Sequence, residues 1–208
     1  MRPSAFCILA ACVLLAGCKI VAKSDETDAP QDDATRMAAL VAEDWDTRIL
    51  PRLRETASPA PELLAALAAD FSAGSVEYNR ASAVEGAPSV FVIRGEGSVI
   101  GANTESRAAR LNVDMDGDGA ADLDIQLGPV IRGTALRDAL PFYEFTAFRD
   151  QIEFAKLSRA LNDAAHAALP ATPDDSVGKR AAFVGAFTMA EPADPKEVVP
   201  VELSWPAP

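Results

Sequence analysis

The stretch Ala109–Leu127, "ARLNVDMDGDGAADLDIQL", decides the fold. Leu111, Val113 and Met115 alternate with polar residues, and Leu123, Ile125 and Leu127 repeat the alternation after an aspartate- and glycine-rich interval. A period of two places each apolar trio on one side of a strand, so the two halves read as a β-hairpin with a long acidic tip. Upstream, "SVFVIRGEGSVIGANTES" from Ser89 alternates with interruptions at Gly95 and Gly97. This predicts either two strands or one strand bent by a bulge. Downstream, "RAAFVGAFTM" and "EVVPVEL" are two further strands. Between them and the hairpin, a helix is expected from about Ala147 to Leu169, stopped by Pro170, with Ile152, Phe154, Leu157 and Leu161 as its core face.

Towards the N-terminus the period becomes helical. Leu40/Val41, Trp45, Ile49 and Leu53 form one stripe, with Thr35 placed to cap it. Pro51 should kink or end that helix near Leu50. A second helix follows "SPAPE", burying Leu63, Leu64, Leu67 and Phe71 and ending near Gly74. Trp45, alone on a helix stripe, reads as core rather than as a binding aromatic. The expected class is α+β: a small open barrel of the oligonucleotide/oligosaccharide-binding (OB) kind, an N-terminal helical lobe of its own, and one long helix in the C-terminal half.

The first residues address the compartment. "MRPSAFCILAACVLLAGC" has one basic residue, Arg2, and an apolar run from Ala5 to Ala16. That run is too short for a resident transmembrane helix and suits a secretory signal. It ends in Leu15-Ala16-Gly17-Cys18, which resembles the lipobox of bacterial lipoproteins. The resemblance implies cleavage before Cys18 and acylation of its thiol, anchoring the chain on the periplasmic side of the inner or outer membrane. Cys7 and Cys12 lie in the removed segment, so no disulfide or thiol chemistry remains to the mature chain. The sorting position is Lys19, which permits outer-membrane delivery, whereas a transporter accessory would sit on the inner membrane. The expected organisation is a signal peptide over 1–17, a lipidated acidic tether over 18–34, a helical lobe over 35–86 and the barrel over 87–208. As a flexible chain the tether would reach roughly 20 Å.

Charge narrows the partners. With 19 basic and 31 acidic side chains the chain carries −12. Such a surface argues against nucleic acid and against lying on anionic headgroups, leaving the lipid anchor as the expected membrane contact.

Two groups of residues could carry chemistry. Asp114, Asp116 and Asp118 take loop positions one, three and five, Gly119 six, the carbonyl of Ala120 seven and Asp122 nine. Alternating carboxylates around a glycine turn can wrap a calcium ion, which would serve here as a structural cofactor. Ile125 stands where a helix-flanked calcium loop carries glutamate, so the pattern resembles instead the calcium loops in β-hairpins of integrin-type propeller repeats. A metal-free Asp-Gly turn is the simpler alternative. The second group is Arg132, Thr134, Arg137 and Asp138 within "GPVIRGTALRDALPF", Gly128–Phe142. Two guanidinium forks, a hydroxyl and a carboxylate could hold a polyhydroxylated or anionic ligand, or a partner protein; equally, they could form an internal ion-pair network. The lone histidine, His166, lies on an alanine-rich helical stretch without an evident serine or cysteine partner. Catalysis is therefore not expected; a glycoside hydrolase using paired carboxylates is the remaining enzymatic alternative.

Ordered motifs across the mature chain carry a wider resemblance: "CKIV" after the lipobox, "IRGEG", "TESRAARLNVDMDGDGAAD", "GPVIRGTALRDALPF", "RDQIEFA" and "VGAFTM". Together they resemble a family of predicted bacterial periplasmic lipoproteins defined by a domain of unknown function (2291). The chain departs from that pattern at Arg149-Asp150, where asparagine usually precedes Gln151. The resemblance implies an extracytoplasmic lipoprotein encoded beside sugar ABC transporter genes, and hence a binding or accessory module partnered by transporter components or a solute-binding protein. It brings no catalytic residues. A purely structural envelope protein is the plainer alternative.

Overall fold

The computed structural model describes residues 32–81 and 87–206. The signal segment, Cys18 and nearly all of the expected tether lie outside the described residues.

Helix α1 (Asp33–Asp44) begins two residues before the expected start of the helical region at 35. Its cap is Asp32, whose carboxylate accepts the Thr35 N–H at 2.9 Å; Thr35, the expected cap, is instead the residue being capped. Pro51 does not end the helix. A π-helical turn over Trp45–Ile49 precedes it, with the Leu50 N–H donating to the Trp45 carbonyl, and α2 (Leu50–Thr56) continues through the proline. Proline has no N–H and its ring crowds the carbonyl four residues back, and a widened turn accommodates that misfit.

The expected second helix is two. Helix α3 (Ala60–Ala69) stops at Asp70, whose backbone is extended and whose side chain accepts from the Ala73 N–H to start α4 (Phe71–Tyr78). Leu63 and Leu67 are buried, whereas Leu64 and Phe71 pack against the core while staying partly exposed. A two-residue strand, β1 (Ser58–Pro59), runs parallel to Ile93 and Arg94 and was not anticipated.

Five strands make the barrel: β2 (Ser89–Asn103), β3 (Ala108–Asp114), β4 (Leu123–Pro129), β5 (Arg180–Met189) and β6 (Glu197–Ser204). The order is β1-β2-β3-β4-β6-β5, and β5 pairs back onto β2 to close it. Closure depends on one long strand serving two neighbours. Residues Ser89–Ser98 of β2 pair with β5, and Ser98–Asn103 pair with β3. The bend is a bulge between Val99 and Gly101, not a break at Gly95 or Gly97. The expected β3–β4 hairpin forms, with Leu111 opposite Ile125 and Val113 opposite Leu123.

Helix α5 (Ala135–Asp138) and a 3₁₀ turn over Phe145–Ala147 lead into α6 (Gln151–Ala168), which is capped by Asp150 through the Glu153 N–H. The expected core face of α6 is corrected at one position: Leu157 and Leu161 are fully buried, but Ile152 is 66% exposed.

Two buried clusters result. Phe91, Ile93, Leu111, Val113, Ile125 and Phe187 fill the barrel, with Leu63 and Leu67 of α3 closing over it. Met37, Val41, Ile49 and Leu53 pack with Leu157, Leu161 and the barrel residues Val199 and Val201. From Asp32 onward the chain is one compact unit, with the N-terminal helices packed against the barrel and α6.

Candidate functional site

The hairpin tip is organised by Asp114 at the end of β3. Its carboxylate is buried and accepts N–H bonds from Asp116 (3.2 Å), Gly117 (2.6 Å) and Gly119 (2.9 Å). These amides, Gly117 foremost, hold the Asp114 carboxyl below the usual carboxylate range. Gly117 and Gly119 adopt φ of 84° and 86°, conformations that favour glycine and that fold the loop back onto Asp114. Asp122 accepts the Met115 N–H at 2.7 Å, which closes the loop from the other strand.

Asp114, Asp116 and Asp122 each present an oxygen within 4.8 Å of the others. Asp118 is not part of that group: its carboxylate accepts the N–H of Ala120 at 2.7 Å in a tight side-chain turn. Three convergent carboxylates with free lone pairs are a hard-oxygen donor set of the kind calcium takes.

The connection from β4 to α6 gathers three of the four expected residues. Thr134 Oγ1 donates to Asp138 Oδ2 at 2.5 Å, and Arg137 Nε donates to Asp138 Oδ1 at 2.7 Å. Arg132 stands apart, its backbone N–H donating to Gln126 Oε1 at 2.9 Å. The Arg137 guanidinium lies 4.0 Å over the Phe154 ring, and Phe154 meets Phe145 edge-on at 5.5 Å. Arg137, Phe145, Gln151 and Phe154 line an open pocket of about 300 Å³. Phe145 is 48% exposed, unusual for so large an apolar side chain. Phe145 and Gln151 were not expected as site residues, and Phe154, expected on the core face of the helix, is partly exposed and lines the pocket. The available signal was the aromatic density of "FYEFTAF", Phe142–Phe148, beside an arginine-bearing turn.

A second missed group fixes this connection to the N-terminal helices. Asp44, at the start of the π turn, is buried and accepts the Tyr143 O–H at 2.8 Å and an Arg48 N–H at 3.0 Å. Arg48 in turn covers Phe142 at 4.3 Å. Burial and the Asp44 carboxylate push the Tyr143 hydroxyl well above its ordinary range, so it stays protonated and donating. His166 has a structural position: its Nδ1 lies 2.7 Å from the Leu127 carbonyl, and its ring packs on Gly128.

The barrel order, the intervening α6 and the pocket-bearing connection can be set beside known proteins. The family model "Predicted periplasmic lipoprotein (DUF2291)" matches residues 8–204. The chain belongs to that family. As a member, the lipoprotein is assigned to the periplasmic side of the cell envelope. A crystal structure described as an OB-fold protein from Thermotoga maritima superposes with a TM-score of 0.60 at 17% identity, covering 83% of the lipoprotein and 96% of that chain. At that identity the likeness concerns the fold, which is OB-like. No curated protein matches the lipoprotein. Among the described residues, no helix is long and apolar enough to cross a membrane.

Proposed function

We propose that the lipoprotein is a binding or accessory module of a sugar-type ABC uptake system, tethered to the membrane through an acylated Cys18. The supporting observation is the pocket of Arg137, Phe145, Gln151 and Phe154, where exposed aromatic surface stands beside an oriented guanidinium and an amide. Aromatic faces accept the apolar faces of sugar rings or partner side chains, and guanidinium and amide groups take their oxygens. Asp138, itself bonded by Thr134, orients Arg137 through both Nε (2.7 Å) and Nη2 (2.6 Å), fixing the guanidinium at the pocket wall. A binding role fits better than a catalytic one, because His166 is engaged with the Leu127 carbonyl and Asp138 with Thr134 and Arg137. Chemical cross-linking of the lipidated protein in its native membrane should recover a transporter subunit or a solute-binding protein; recovery of neither overturns the reading.

Calcium at the hairpin tip belongs to the same proposal as a structural ion, held by Asp114, Asp116 and Asp122, with Asp118 shaping the loop. A ligand roughly a hundredfold above its Kd stabilises by about 2.7 kcal/mol. For a domain of this size that is a rise of roughly 5–10 °C in melting temperature. The wild type should show such a rise in calcium over chelator, and Asp116→Ala should abolish it. An unchanged midpoint in both proteins removes the metal.

A further inference from the structure

An open groove of about 540 Å³ runs along the outer side of α1 and α6. Ala38, Val41 and Trp45 form one wall, and Ala160 and Ala164 the other. Its charged lining residues are Asp46, Lys156, Arg159 and Asp163, two of each sign, so the groove lining is balanced on a chain that carries −12, with Asp33 adding one negative charge beside Lys156. One turn before Lys156 on α6, Ile152 is 66% exposed. Apolar, nearly balanced in charge and containing a partly exposed indole, the face has the composition of a surface that lies at a lipid interface.

Where the chain enters the fold points to the same occupant. Asp33, the first residue of α1, accepts hydrogen bonds from Arg149 Nη2 at 2.7 Å and from Lys156 Nζ at 3.2 Å. The start of α1 is thereby pinned beside Lys156, at one end of the groove. Thirteen residues separate Cys18 from Asp32. Even fully extended, at about 3.3–3.6 Å per residue, they hold this end of the domain within roughly 50 Å of the acylated residue.

We propose that the α1–α6 face rests on the phospholipid surface. Trp45 and Ile152 sit at the boundary between headgroups and acyl chains, while Arg159, whose side chain is 84% exposed, extends to lipid phosphates and Lys156 stays with Asp33. The anchor makes this contact intramolecular, so a patch too weak to bind vesicles unaided is sufficient. The net charge of the whole chain argues for membrane contact through the anchor alone; the near-balance of charge along this groove sets it apart from the rest of the surface. The inference rests on the anchoring in the proposed function and not on the Arg137 pocket.

The mature chain retains one cysteine, Cys18, whose thiol is blocked by acylation, so a single added cysteine can be labelled uniquely. Lipidated Ala38→Cys and Ile152→Cys, each carrying a fluorophore, are reconstituted into phosphatidylethanolamine–phosphatidylglycerol vesicles containing a doxyl-lipid quencher. Val76→Cys on α4, where the native side chain is 85% exposed, is the reference. Quenching at positions 38 and 152 should exceed that at 76 several-fold. Equal quenching at all three positions, in protein that floats with the vesicles, overturns the proposal. Protein that fails to float contradicts the anchoring on which it rests.

Discussion

Gly97→Ala should lower the melting temperature by roughly 6–12 °C, from overpacking of about 3 kcal/mol in a domain of this size. A Cβ at Gly97 would lie 2.5 Å from Val113 Cγ1, 2.6 Å from the Asp114 carbonyl oxygen and 2.8 Å from Met115 Sδ. Two of those atoms can yield by side-chain motion, but the Asp114 carbonyl is backbone and belongs to the β2–β3 register, in which Ser98 faces Asp114. The glycine therefore sits where β2 leaves β5 to pair with β3, and crowding there opposes barrel closure. Chemical or thermal denaturation measures the effect. Val76→Ser, at an exposed position, should leave the midpoint unchanged. If Gly97→Ala melts with the wild type, closure does not depend on that close approach.

The second large effect is expected at Asp44. Replacing it with alanine leaves the Tyr143 O–H buried without an acceptor and frees Arg48, costing about 2 kcal/mol. Tyr143→Phe should cost less, because the hydroxyl is removed together with its need for a partner. A double-mutant cycle between the two should give a coupling of about 1 kcal/mol. Hydrogen exchange should quicken over Phe142–Phe148 in Asp44→Ala, since this contact holds the pocket-bearing connection to the N-terminal helices. Additive single effects and unchanged exchange would mean that the connection is held by other contacts.

The barrel was legible wherever two-residue alternation survived, as in Leu111–Val113 facing Ile125–Leu123. It was less legible where one residue departs from its element's dominant face. Ile152 joins an apolar series by eye, yet it precedes Leu157 by five residues, which places it about 140° around the helix from the buried stripe at 3.6 residues per turn. Pro51 follows the general rule for prolines only in part, because a π turn takes up the misfit and the helix goes on. Asp70 caps a helix from within an apparently continuous pattern, a local backbone choice that periodicity does not register.

The acidic loop was legible as a loop, since its alternating aspartates flank glycines. Its geometry was not: Asp118 shares the spacing of its neighbours but is committed to the Ala120 N–H. In the arginine-bearing connection, adjacent residues such as Arg137 and Asp138 were grouped correctly, whereas Arg132 was grouped by proximity in sequence and stands apart in space. Asp44 and Tyr143 are 99 residues apart, and nothing local to either announces the other. Phe145 and Phe154 are separated by a turn and a helix start, and only the fold brings their rings to 5.5 Å.

The pocket as the partner-contacting site is tested most directly by placing a photo-cross-linking residue at Phe145 of the lipidated protein in its native membrane, with and without Arg137→Ala. The expected result is capture of a transporter subunit or solute-binding protein by the first protein and its loss in the second, with no such capture from position 76 on α4. Equal capture from positions 145 and 76, or none from 145, would contradict it.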